Sequence, residues 1–159
     1  MSEFVKTLEI LGEKIELGES RIIDFNIAKL YTSTSIEIPI IIERSIHPGP
    51  TVLITAAIHG DEINGVEIVR QLISRKINKP KRGTIICIPV FNMFGYLNQS
   101  REFPDGRDLN RVFPGSASGS LASQFAYKFT KEIAPLVDYV LDFHTGGAGR
   151  ENYSNIRCF

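Results

Sequence analysis

The sequence has no excess of either charge. Lys plus Arg and Asp plus Glu both number 18, giving a formal net charge of zero. Nucleic acid is thereby excluded as a bulk electrostatic partner, because binding a phosphate backbone needs clustered cations. Cysteine is scarce: Cys87 and Cys158 stand far apart, so neither a disulfide framework nor a cysteine-based zinc ribbon is expected. Cys87 lies inside an apolar run and reads as a small core residue. No apolar stretch approaches the ~18 residues of a membrane-spanning helix. The opening MSEFVKTLEI lacks the basic-then-apolar order of a signal peptide. There is no internal repeat and no low-complexity tract. These absences lead to the expectation of a cytoplasmic protein with neither membrane nor nucleic acid as partner.

What is present suits one folded domain. A chain of 159 residues that is 43% hydrophobic can bury a real core. The isoleucine-rich stretches 21–30 and 36–44 read as an antiparallel pair, and TVLITAAI (51–58) as a strand buried on both faces. Val66, Val69, Leu72 and Ile73 keep helical spacing, which predicts a helix over 61–75 with Asp61 and Glu62 in its first turn. GTIICIPVF (83–91) is a further buried strand. Residues 92–118 lose periodicity. Leu121, Phe125, Phe129 and Ile133 predict a helix over 121–134, ended by Pro135, and LVDYVLDF (136–143) follows as a strand. Alternation of strands and helices predicts an α/β fold with a mixed, largely parallel central sheet flanked by helices. The basic stretch SRKINKPKRG (74–83) reads as a solvated helix end.

Only three histidines are available. His47 precedes Pro-Gly-Pro in a turn and is expected at the surface. His59 and His144 instead stand at the carboxyl ends of predicted buried strands, where α/β sheets gather their sites. Glu62 follows His59 by three positions across the strand-to-helix junction. Two close ligands and one distant ligand, of type His, Glu and His, form a tridentate set with an open position, as catalytic zinc requires. Asp142 precedes His144 by two residues and shares its side of the strand. Either it orients the imidazole or it is simply a polar strand end. Asp61 reads as a helix N-terminal carboxylate rather than a ligand.

The segment REFPDGRDLNRVFPG (101–115) is long, irregular and stiffened by Pro and Gly, a pattern common in functional loops. Asn110 and Arg111 offer an adjacent amide and guanidinium fork, suited to a substrate carboxylate. Arg101 can polarise a carbonyl or hold another acid group. The alternative is a solvated loop that happens to carry arginines.

Three stretches in order, GPTVLITAAIHGDEINGVE, FNMFGYLNQSREFPDGRDLNRVFPG and VDYVLDFHTG, resemble the succinylglutamate desuccinylase/aspartoacylase family of the zinc carboxypeptidase superfamily. The resemblance implies one Zn2+ per chain held by His59, Glu62 and His144. It implies that Asn110 and Arg111 bind the substrate carboxylate and that Arg101 serves the carbonyl oxygen or a substrate acid group. The implied reaction is hydrolysis of the amide bond of a small N-acyl amino acid.

One feature departs from the family pattern, which places a general-base glutamate well beyond the third ligand. Glu151 is the single carboxylate after His144 and does not match that place. The expectation is therefore a single zinc-hydrolase domain over 1–159, incomplete at its C-terminus, weak in zinc binding and negligible in turnover alone, and open to homo-oligomer formation. A zinc carboxypeptidase acting on peptide C-termini and a non-catalytic zinc- and carboxylate-binding module remain the competing readings.

Overall fold

A computed structural model describes residues 7–29 and 32–158. Residues 1–6 of the segment read for a leader and the end of the first expected strand (30) lie outside the described residues. The ordered elements are β1 (Leu8–Ile10), β2 (Glu13–Ile15), β3 (Ser20–Lys29), β4 (Ser35–Arg44), β5 (Thr51–Ala56), α1 (Ile63–Ser74), β6 (Thr84–Ile88), α2 (Met93–Asn98), α3 (Leu121–Glu132) and β7 (Tyr139–Phe143). β1 and β2 form a small hairpin that the sequence reading did not anticipate. The other strands form one mixed sheet in the order β3-β4-β6-β5-β7. β3, β4 and β6 pair antiparallel, while β6, β5 and β7 run parallel.

Alternation along the strands builds two cores. Leu53 of β5 and Ile86 and Ile88 of β6 face one layer, with Ile38, Ile40 and Ile42 of β4 and Phe125 of α3. Ile54 and Cys87 face the other, against Val69 and the half-buried Val66, Leu72 and Ile73 of α1. The sheet is thus covered on opposite faces by α1 and α3, as the apolar stripes of both helices require. β6 and β7 flank β5 on opposite sides, so the carboxyl end of β5 sits where the strand order reverses, the place where open α/β sheets form a crevice.

Four expectations need correction. α1 begins at Ile63, so Asp61 and Glu62 precede it, and Glu62 caps it without a side-chain hydrogen bond. The strand expected over 51–58 stops at Ala56, because Ala57 turns into the left-handed region at φ 53°. α3 stops at Glu132, with a separate 3-10 turn over Ala134–Leu136. β7 is not buried: Tyr139, Val140 and Leu141 are 65%, 59% and 53% exposed on the open edge of the sheet.

Residues 92–118, read as lacking periodicity, carry the short α2, and the rest is irregular but firmly held. The buried side chain of Asn92 accepts from the Gly95 amide at 2.9 Å, starting α2, and donates to the Glu102 carbonyl at 3.2 Å. Phe103 stacks on Phe125 at 5.5 Å between ring centroids, Leu109 is fully buried, and Asp105 accepts from the Ala122 amide at the start of α3. Long-range apolar anchors therefore order a loop that has no periodicity of its own.

Gly60 lets the turn after β5 lie directly on α2. A Cβ there would fall 1.8 Å from the Gly95 carbonyl carbon and 2.1 Å from the Tyr96 nitrogen. Overpacking usually costs ~1–3 kcal/mol, and backbone atoms on both sides leave little room to relax. Gly60→Ala is expected to exceed ~3 kcal/mol in denaturant unfolding. Gly106→Ala, at φ 75° with nothing within 4 Å, should cost about 1 kcal/mol. Equal losses would contradict this packing account.

Candidate metal centre

The β5-to-α1 turn delivers His59 and Glu62, both only 3% exposed, while the end of β7 delivers the more open His144. Hydrogen bonds from the Phe91 and Asn92 amides to the Ala56 and Ala57 carbonyls fix the turn against the chain leaving β6. His59 Nδ1 lies 2.7 Å from Glu62 Oε1, and His144 Nδ1 lies 3.0 Å from Glu62 Oε2. One potential ligand atom from each residue lies within 4.8 Å of the others, so the three converge on one point.

The far side of each imidazole is also occupied. His59 Nε2 is 3.1 Å from Asp108 Oδ1, and His144 Nε2 is 2.8 Å from Asp142 Oδ2. Ionised carboxylates can only accept, so each Nε2 carries a proton. A neutral ring then presents a bare Nδ1 lone pair to Glu62, which is also an acceptor. Two lone pairs at this range need a cation between them, either a proton or a metal ion. Nitrogen, oxygen and nitrogen donors backed by carboxylates are the chemistry of a zinc site, so the residues fit that ion.

The electrostatics agree with this geometry. Its hydrogen bond to Asp142 raises the His144 pKa above the usual value, against the cost of burial and with the fields of Asp142 and Glu62 adding to it. Burial opposes ionisation of Asp108, yet the Arg101 guanidinium and the His59 ring hold its carboxyl below the usual carboxylate range. Arg101 donates through Nε and Nη2 to Asp108 Oδ2 at 3.1 and 2.8 Å, while its Nη1 stands 3.5 Å from Glu62 Oε1.

Asn110 and Arg111 occupy a 3-10 turn (Leu109–Arg111) whose start is capped by Asp108. Their side chains have no hydrogen-bond partner among the described residues. A cleft of about 720 Å³ beside the site is lined by Asp61, Ile63, residues 99–102 and residues 147–150. Arg101 lines it; Asn110 and Arg111 do not. His47 is exposed, as expected. Asp61 departs from expectation: it is no helix-start carboxylate but accepts from the Ala148 amide at 2.8 Å. Asp108 is the residue that sequence reasoning missed. A carboxylate among the arginines of GRDLNR was the available signal.

Residues 48–159 match the succinylglutamate desuccinylase/aspartoacylase catalytic domain.

The chain belongs to this family.

It is 40% identical over 100 residues to the N-alpha-acetyl-L-2,4-diaminobutyric acid deacetylase of Halomonas elongata, covering 62% of this chain and 29% of that protein. An aspartoacylase family protein from Mesorhizobium loti superposes with a TM-score of 0.72 at 31% identity, over 82% of this chain and 41% of that one. A product-bound ectoine utilization protein from Ruegeria pomeroyi gives 0.69 at 29% identity, over 83% and 42%. The chain thus spans less than half the length of these relatives. The family is one of zinc amidohydrolases, and His59, Glu62 and His144 are a group able to hold its metal. Among the described residues no helix is long and apolar enough to cross a membrane.

His59→Ala is expected to abolish stoichiometric zinc, read by metal analysis of the purified protein. Asp108→Ala keeps all three ligands but frees the His59 ring, and should weaken zinc affinity by ~10–100-fold in a chelator competition. Unchanged zinc content in His59→Ala would remove His59 from the ligand set.

Proposed function

We propose that this chain carries the metal-binding and substrate-anchoring part of a zinc-dependent deacylase acting on the amide bond of an N-acyl amino acid or similar small carboxylate-bearing substrate. The observation that carries the reading is the pair of imidazoles aimed through Nδ1 at the buried Glu62 carboxylate, each fixed at Nε2 by an aspartate. His59, Glu62 and His144 hold one zinc ion per chain. Zinc bound there supplies Lewis acidity, polarising a carbonyl and bringing the pKa of water down to about 7.

The protein's own groups do the rest of the positioning. Asp108 and Asp142 retain the Nε2 protons and so set the ring tautomers. Arg101 meets the amide oxygen or an acid group of the substrate, a role supported by its position beside Glu62 and in the cleft wall. Asn110 and Arg111, with unpartnered side chains on one rigid turn, bind the substrate carboxylate. Glu151 is exposed, and its side chain makes no hydrogen bond or ion pair among the described residues, so it is not assigned as general base.

The name of the Halomonas relative makes N-acetylated diamino acids the first substrates to assay, beside short peptides with free C-termini. Release of acetate from the former supports the deacylase reading. Release of C-terminal residues from the latter replaces it with a carboxypeptidase. Arg111→Lys keeps the charge and loses the fork, so kcat/KM for a carboxylate-bearing substrate should fall by roughly tenfold or more. A substrate blocked as its carboxamide should lose little. An equal loss on both would remove Arg111 from carboxylate binding.

A further inference from the structure

Asp61 lies between two metal-site residues in sequence yet takes no part in the metal group. Its Oδ2 accepts from the Ala148 amide at 2.8 Å, while its Oδ1 is buried with no hydrogen-bond partner among the described residues. Asp61 as a whole is half-buried, but a carboxylate oxygen kept from water with no donor costs stability, so an apolar residue would be the easier choice if packing were its whole task. The segment it holds is unusual. Ala148 and Gly149 are consecutive left-handed residues at φ 56° and 70°, and the Arg150 amide closes a turn on the Gly147 carbonyl at 3.2 Å. Gly147 passes so close that a Cβ there would lie 2.6 Å from Asp61 Oδ2. Residues 147–150 and 99–102, with Asp61 itself, line the cleft beside the metal group.

We propose that Asp61 is a positioning residue that clamps Gly147–Arg150 in place as a preformed wall of the substrate cleft. One end of this wall is already tied to the site, since the Thr145 amide donates to Glu62 Oε2 at 2.8 Å. Asp61 supplies the second tie, three residues further on. With both ties the wall stands before substrate arrives, and binding does not bear the entropy of ordering it. Asp61 touches neither metal nor reacting atoms, so its loss acts on substrate binding through the wall.

The kinetic part of the test rests on the deacylase reading; the structural part does not. In the zinc-loaded protein, Asp61→Ala should speed exchange of the Ala148 amide by ~tenfold or more and hasten tryptic cleavage after Arg150, with zinc content unchanged. On N-acyl amino acid substrates it should raise KM by ~tenfold while kcat stays within a few-fold. Asp61→Asn keeps an acceptor oxygen and should restore both. Gly147→Ala forces Asp61 off the Ala148 amide and should reproduce the Asp61→Ala phenotype. In the Asp61→Ala background the added methyl meets no carboxylate and should change nothing further. Unchanged Ala148 exchange in Asp61→Ala, or full additivity of the two substitutions, would overturn the clamp. Altered exchange with unchanged KM would overturn its role in substrate binding while leaving the tie intact.

Discussion

Burial of the Glu62 carboxylate is the constraint around which the site is organised. Taking a charged group out of water costs several kcal/mol unless its oxygens meet donors or cations. Glu62 is 3% exposed: Oε2 accepts from the Thr145 amide at 2.8 Å, Oε1 has Arg101 Nη1 at 3.5 Å, and His59 Nδ1 at 2.7 Å and His144 Nδ1 at 3.0 Å face the two oxygens across the position a cation would fill. These partners come from the turn after β5, the irregular loop and the end of β7. One side chain therefore requires three distant segments to meet, and none of them is in place unless the sheet is.

The sheet meets that requirement through its strand order. β5 lies between β6 and β7, so the turn leaving β5 and the chain leaving β7 emerge side by side. α1 and α3 cover opposite faces, which leaves the carboxyl ends of the strands open. The loop that brings Arg101 and Asp108 has no regular hydrogen bonding to stiffen it. Phe103, Leu109 and the bonds of Asn92 do that work by fastening it to the core and to α2. A functional loop can be both irregular and rigid when its apolar side chains are buried far from the chemistry they support.

Electrostatic coupling runs through the same contacts. Arg101 holds Asp108, Asp108 holds the His59 ring, and His59 faces Glu62. A change at any point in this chain is felt at the metal group, because low local dielectric strengthens each contact and makes each unpaired member costly. Arg111 stands outside it. Its guanidinium is exposed and unpaired among the described residues.

Much of this was legible in the residues themselves. The isoleucine runs, the helical stripes and the alternation of strands with helices named the fold class. Histidines at two strand ends with Glu62 beside one of them pointed to the three side chains that meet as a candidate metal group, because strand ends are where such folds place their sites. What sequence could not supply depended on contacts between distant residues. Asp61 has the look of a helix-start carboxylate, yet it bonds Ala148 because the chain turns at Ala57 and α1 starts only at Ile63. Asp108 has the look of one more loop charge, yet buried Leu109 and Phe103 carry it to His59. β7 has the look of an interior strand, yet the strand order puts it on the open edge. Local pattern determines which side chains are apolar and which are chemically able. Only the tertiary structure decided which of the able ones meet, since closeness between distant residues is set by strand order and core packing rather than by neighbours in sequence.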